Sequence, residues 1–267
     1  MPLTIVIDLD PNIIRLGPLL ITWHGVFSVL GIIAAARLGF WLLERNGVEL
    51  KGGGGDGLAW MVIVGLIGAR LLYVWENFRI FANGQLLRMF ALTEGGISQW
   101  GGLFGAMLGA FIWARRSKFS YWKMIDAGGP ATMIGLAIGR IGDVINGEHH
   151  GTPCSFAWCV RYTSPSTLGQ STPVHPIGVY DGMLMLTIFL VLFWYWRRAR
   201  GQPPESRIYW AYLLGLGAGR FVESFVRDDP VVLFGLQEAH VLGLVYAVAG
   251  ALMLWVLSMR TTRPNRL

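Results

Sequence analysis

The chain has 267 residues, 54% of them hydrophobic and only 14% charged, with a mean hydropathy of +0.50 and a net charge of +6. This composition excludes an ordinary soluble globular protein and points to a polytopic membrane protein. The positive balance reads as membrane topology, and no nucleic acid is expected as a partner.

From the N-terminus, Met1 to Gly17 has no basic stretch and carries Asp8 and Asp10, so it does not read as a cleavable signal peptide. Seven apolar segments then follow, at roughly 18–43, 57–76, 97–115, 124–146, 178–196, 208–227 and 235–259. Each suits a span, which needs about 20 residues. The expected fold is all-α, a bundle of seven transmembrane helices forming a single domain over residues 1–267. A small extracytoplasmic loop or hairpin region, 147–177, separates helices four and five. That loop is rich in Gly, Pro, Ser and Thr, and its stretch Phe156 to Tyr162 suits one strand of an exposed hairpin. Cys154 and Cys159, the only cysteines, lie in it five residues apart. A small disulfide and two free thiols are both open for them.

An odd number of spans puts the termini on opposite sides. With the first, third and fifth loops and the C-terminus inside, thirteen Lys and Arg face the cytoplasm and five face outward. The positive-inside rule then gives N-terminus out and C-terminus in. Twelve tryptophans suit the two interfacial belts. Glycines four residues apart mark close helix contacts at Gly101, Gly105 and Gly109, at Gly135 and Gly139, and at Gly215 and Gly219.

The fourth segment changes character at its outer end. Ala127 to Ile138 has no charge, and then Arg140, Asp143, Asn146 and Glu148 follow within nine residues. A lone charge inside the bilayer costs roughly 2.5–3.5 kcal/mol on the insertion scale, so such a cluster needs a reason. Arg140 and Asp143 are three apart on a helix and can simply neutralise each other to fix packing. The sixth segment repeats the pattern with Arg220 and Glu223, followed by Arg227 and Asp228. Segments four and six run in the same direction, so both clusters lie at similar depth near the outer surface. Trp23-His24-Gly25 of segment one and Ser98-Gln99-Trp100 of segment three sit on that side too. Polar groups from four helices are therefore expected to converge on one leaflet. Two guanidinium forks near the headgroup level make a natural phosphate site. His149 and His150 are adjacent and cannot face one ion as an i,i+4 pair does, so no metal site is expected. No Ser-His-Asp or Cys-His arrangement is visible.

Gly139-Arg140-x-Gly142-Asp143-x-x-Asn146-Gly147-Glu148-x-x-Gly151 closely resembles the signature of the bacterial prolipoprotein diacylglyceryl transferase family. Supporting stretches are Trp23-His24-Gly25, Gly68 to Tyr73 around Arg70, Glu94 to Gly102, His175-Pro176 to Tyr180-Asp181, and Arg220 through Glu223 to Arg227. The resemblance covers nearly the whole chain. It implies a multi-pass enzyme of the bacterial cytoplasmic (inner) membrane, working toward the outer leaflet. Diacylglycerol would pass from phosphatidylglycerol to the lipobox cysteine thiol of a preprolipoprotein signal peptide, releasing glycerol 1-phosphate. The partners are thus phosphatidylglycerol, the preprolipoprotein and membrane lipid, and no cofactor is implied. The thiol belongs to the substrate, which fits a chain without its own nucleophile.

Carried onto these positions, Arg140 and Arg220 are expected to stabilise the departing phosphate. Asn146 would donate to the headgroup or phosphate, and Glu148 would orient an arginine or contact the headgroup. Asp143 and Glu223 would orient an arginine or simply neutralise it, and Gly151 and Arg70 complete the expected substrate-binding set. Six positions depart from the family pattern. Trp100 stands where the family has a histidine, Asp143 where asparagine is usual, Gly178 for glutamine, Asp181 for glutamate, and His240 and Gly243 where glutamine and serine are common. With Trp100 in the histidine position, His24 is the expected base for the thiol. The alternatives are a non-catalytic lipid-binding or assembly protein of the same fold, and a transporter. The last expects a repeat symmetry that the sequence does not carry.

Overall fold

Apolar runs of this length fold as helix because a helix satisfies every backbone N–H and C=O within the segment. In the computed structural model, which describes residues 4–17, 19–50, 54–82, 89, 96, 98–199 and 204–261, helix dominates accordingly. The long helices are α1 (Trp23–Arg45), α2 (Gly55–Glu76), α4 (Gln99–Arg116), α5 (Tyr121–Asn146), α6 (Ile177–Arg198), α7 (Arg207–Glu223) and α8 (Glu238–Thr261). A single-turn helix α3 (Phe78–Ala82) follows α2. Among the described residues four helices, α1, α2, α6 and α8, are long and apolar enough to cross a membrane.

The chain divides into two compact units, Met1–Leu42 with Asp126–Leu267, and Leu43–Ile125. In the smaller unit α2 and α4 pack on glycines. A Cβ at Gly68 would meet the Gly101 carbonyl at 2.4 Å, and one at Gly105 the Val64 carbonyl at 2.4 Å. The expected small-residue face of segment three is therefore a backbone contact.

In the larger unit α1 and α5 approach in the same way, with a Cβ at Gly31 meeting the Gly135 carbonyl at 2.3 Å. Further out, Gly142 leaves room for the His24 backbone, 2.7 Å from where a Cβ would stand. The α7–α8 contact uses Gly217, against Gly243 and Ala247, while of the expected pair Gly219 packs on the Leu184 side chain of α6, 2.2 Å from where its Cβ would stand. Gly215 meets only the Ile188 side chain at ordinary distance, because it lies on the α6 side of α7. Gly139 likewise has open space where its Cβ would be. Helix α7 also ends sooner than expected, and a 3-10 turn Ser224–Val226 carries the chain on to an extended Arg227.

The described strands are short, in three pairs. β1 (Ile5–Ile7) runs parallel to β4 (Val160–Tyr162). β2 (Asn12–Leu16) and β3 (Leu19–Thr22) form a ribbon that feeds directly into α1, and β5 (Val231–Leu233) and β6 (Leu236–Gln237) do the same for α8. The hairpin strand expected over Phe156 to Tyr162 is only Val160–Tyr162, and its strand partner is the N-terminal β1. The cause is a disulfide between Cys154 and Cys159, which curls the preceding residues into a turn with Cys159 N–H donating to the Phe156 carbonyl at 3.1 Å.

Candidate functional site

The end of α5 builds the centre. Gly147 takes a left-handed φ of +76°, and its N–H bonds the Asp143 carbonyl at 2.8 Å, closing the helix. The exposed carbonyls of the last turn are taken by the loop. Tyr162 Oη donates to the Val144 carbonyl at 2.8 Å, and Leu168 N–H donates to the Asn146 carbonyl at 3.0 Å. Burial pushes the Tyr162 phenol up to about 12. The reversal at Gly147 throws Glu148 and His149 back over the helix they have just left. Asn146 Nδ2 then donates to Glu148 Oε1, and His149 Nε2 lies against both Arg140 Nη1 and Asp143 Oδ2.

Two buried carboxylates organise the charges. Asp143 receives Arg140 Nη1 on Oδ2 and His24 Nδ1 on Oδ1, the latter at 2.6 Å. His24 Nδ1 is also 3.4 Å from Glu148 Oε1, and its Nε2 is 3.4 Å from Ser28 Oγ. The carboxylate fixes the tautomer: Nδ1 carries the proton and Nε2 is left as the acceptor. Asp181, in the first turns of α6 and 0% exposed, gathers three arginines. Arg220 Nη1 donates to its Oδ1 at 2.7 Å, Arg140 Nε lies 3.3 Å from Oδ2, and Arg227 Nη1 lies 3.4 Å from Oδ2. Arg140 therefore touches both carboxylates and links them into one network. Glu223 takes Arg220 Nη1 at 3.3 Å, and Arg227 also binds Asp229 at 2.8 Å.

Seven of the sequence-selected residues thus come together: His24, Arg140, Asp143, Asn146, Glu148, Arg220 and Glu223. The Arg140 and Arg220 side chains keep 20% and 27% exposure, and among the described residues no partner takes their Nη2 groups. Gly151 stands at the edge. A Cβ there would strike the His175 carbonyl at 2.3 Å, so packing accounts for the glycine. Its N–H is bound by Gln170 Oε1 at 3.0 Å. Arg70 belongs to the smaller unit, where it donates to the carbonyls of Met89 at 2.7 Å and Gly96 at 2.8 Å. Ser98 lies in that unit too, while the side chains of Gln99 and Trp100 and all of Glu94 and Gly95 fall outside the described residues.

Asp181, His149 and Arg227 take part although the sequence reading had not selected them. Asp181 carried a signal, being a carboxylate inside an otherwise apolar span. The adjacent rings of His149 and His150 face different partners, His149 Nε2 lying against Arg140 and Asp143 and His150 Nε2 binding the Leu168 carbonyl at 2.9 Å. Among the described residues one trio, His24, Asp143 and Glu148, has ligand atoms within 4.8 Å of one another. Its closest pair is already joined by a 2.6 Å hydrogen bond, and Arg140 beside it opposes a cation.

Comparison with known proteins places the chain in a family. The family model described as prolipoprotein diacylglyceryl transferase matches residues 11–256. Among relatives named phosphatidylglycerol–prolipoprotein diacylglyceryl transferase, that of Gloeobacter violaceus is 30% identical over 95% of this chain and 94% of its own. Those of Bordetella avium and Geobacter sulfurreducens are each 31% identical, over 94% and 84% of this chain and 95% and 85% of their own. A match that runs nearly end to end, with the charged cluster inside it, means that the chain belongs to the prolipoprotein diacylglyceryl transferase family.

Proposed function

We propose that the chain moves a diacylglyceryl group from phosphatidylglycerol to the lipobox cysteine thiol of a preprolipoprotein. A thioether forms, the bond between the glycerol carbon and the phosphate oxygen breaks, and glycerol 1-phosphate leaves with the electron pair. The observation that carries this reading is the meeting of Arg140 and Arg220, from α5 and α7, on the single carboxylate Asp181 with donors to spare. Negative charge grows on the departing phosphate, and fixed cations aimed at it in a dry site are commonly the largest catalytic contribution. Asp181 holds the two forks in place beforehand, so they need not reorganise as the bond breaks.

The thiol starts near pKa 8.5, so it needs a base. His24 supplies one. Asp143 anchors its Nδ1–H and leaves Nε2 to take the thiol proton, the same division of labour as in an acid–histidine pair. Two departures from the family pattern then fit together: the histidine replaced by Trp100 is compensated by His24, and the carboxylate at Asp143 is what orients the His24 ring. Asn146 and Glu148 form a bonded pair facing the same space and contact the headgroup glycerol. Glu223 holds Arg220. Arg70, in the smaller unit, is assigned to donor-lipid binding from the family resemblance, and Gly151 stands at the edge of the charge network.

All seven long helices span the cytoplasmic membrane as one domain, with the N-terminus out and the C-terminus in. The basic residues of the alternate loops support this, and so does the Cys154–Cys159 disulfide, which suits an oxidising compartment.

The test is incubation of the purified protein with acyl-labelled phosphatidylglycerol and a lipobox peptide, scoring label on the peptide thiol. Transfer by the wild type and its loss in Arg140→Ala and Arg220→Ala are expected. Full activity in either variant would remove the phosphate-gripping role. No transfer by the wild type, with complementation of a transferase-depleted strain also failing, would leave the non-catalytic lipid-binding reading.

A further inference from the structure

The loop between α5 and α6 carries two aromatic rings that the charge network does not use. Phe156 and Trp158 stack with centroids 4.9 Å apart and planes 6° from parallel, yet they remain 51% and 53% exposed. Exposed rings on a loop ordinarily move freely, but this pair is fixed from behind. The Cys154–Cys159 disulfide closes the turn that bears them, and Cys159 itself is buried. Trp158 Nε1 donates to Tyr180 Oη at 2.8 Å. Tyr180 Oη in turn lies 3.1 Å from His175 Nδ1, and the His175 ring stands 6.2 Å from that of Phe156. Tyr180 immediately precedes Asp181, the carboxylate that gathers the arginines. The ledge and the charge network are therefore tied through one turn of α6.

A membrane-anchoring indole keeps its N–H for headgroups and water. Here that hydrogen is spent inside the protein, so the ring presents only its apolar face. The two substrates also arrive from different directions. A phospholipid reaches the site sideways, within the bilayer. A polypeptide acceptor must lead its chain past the loop that stands above the spans. A rigid apolar ledge hydrogen-bonded to the residue before Asp181 fits the second traveller.

We infer that Phe156 and Trp158 form the docking platform for the acceptor polypeptide, taking the apolar side chains of an extended segment next to its cysteine. The inference rests on the transferase reading above. Pre-ordered aromatic rings lose little entropy on binding and commonly dominate polypeptide recognition.

The experiment uses the full-length protein in phosphatidylglycerol-containing vesicles with a synthetic lipobox peptide. Phe156→Ala/Trp158→Ala should raise KM for the peptide roughly tenfold or more, with kcat and KM for phosphatidylglycerol unchanged. Trp158→Phe, which keeps an aromatic face, should retain most of the affinity, and reduction of the disulfide should mimic the double variant. An unchanged peptide KM, or a rise in KM for the lipid instead, would overturn the platform. Direct binding of a fluorescent, cysteine-blocked lipobox peptide separates this from failure of the transferase reading. Wild type that binds the peptide better than the double variant but forms no thioether keeps the platform and sinks the reaction. Equal binding by the two sinks the platform alone.

Discussion

Arg140 does two jobs at once, reaching Asp143 through Nη1 and Asp181 through Nε. Lysine offers one point charge and cannot reproduce that fork, so Arg140→Lys and Arg220→Lys are expected to lose most activity. Removing one transition-state donor typically costs about 10²–10³ in kcat, and transfer assays at saturating lipid should find losses of at least that order. His24→Ala should be slow but not dead, with partial recovery as pH rises toward the thiol's own range near 8.5. An unchanged rate would dismiss His24 as the base. Asp181→Asn should destabilise the folded protein by about 3–5 kcal/mol, since it removes the common counter-charge of three guanidinium groups, that of Arg227 buried with it. Thermal unfolding in detergent measures that. The Arg140–Asp143 spacing was legible in the sequence because a helix makes i,i+3 neighbours of them. The His24–Asp143 bond was not, because its partners are 119 residues apart and no periodicity encodes which helices touch. Asp181 was noticed only as a departure from a pattern, although its burial makes it the centre of the arginine cluster.

At the scale of elements, the close of α5 decides where Glu148 and His149 go. Gly147 combines a left-handed backbone with a neighbour, Gly169, whose Cα would lie 2.5 Å from an added Cβ. Gly147→Ala should therefore cost stability by more than the roughly 1 kcal/mol of an ordinary helix-cap glycine, and should reduce activity by displacing Glu148. Tyr162 provides a second test of the same junction. Its phenol pKa is raised by burial to about 12, above the ordinary 10, so the protonated form is favoured in the fold. The stabilisation is full below pH 10 and is lost as pH rises through about 12. Tyr162→Phe should remove that alkaline dependence and cost about 1 kcal/mol through the lost bond to Val144. Stability measured from pH 8 to 12 for both proteins gives the comparison. Helix positions themselves were readable from hydropathy alone, and the glycine faces of α4 and α5 were half readable. Which glycine of α7 faces α8 depends on helix rotation about its axis, and the four-residue spacing picked out Gly215 and Gly219 and passed over Gly217.

For the molecule as a whole, the distribution of Lys and Arg predicts that a fluorescent protein fused to the C-terminus glows in the cytoplasm, and that an alkaline phosphatase fused there stays inactive. The N-terminal ribbon should be cleaved by protease added outside spheroplasts. Either result reversed would invert the topology, with the disulfide loop then on the reducing side. The class of protein was evident from composition because a lipid-facing surface leaves little room for charge. The strands were less evident. β1 and β4 are three residues each and pair across more than 150 positions, so neither has an alternation long enough to recognise.

The shared grip of Arg140 on two carboxylates also bears on timing. A donor phosphate competing with Asp181 for that guanidinium must tug it away from Asp143, and the imidazole hung on Asp143 feels the change. Lipid occupancy and readiness of the base become one event, so kinetics should follow a compulsory order with phospholipid first. Isotope-labelled His24 should change its resonance when an unreactive phosphonate analogue enters, before any acceptor is added.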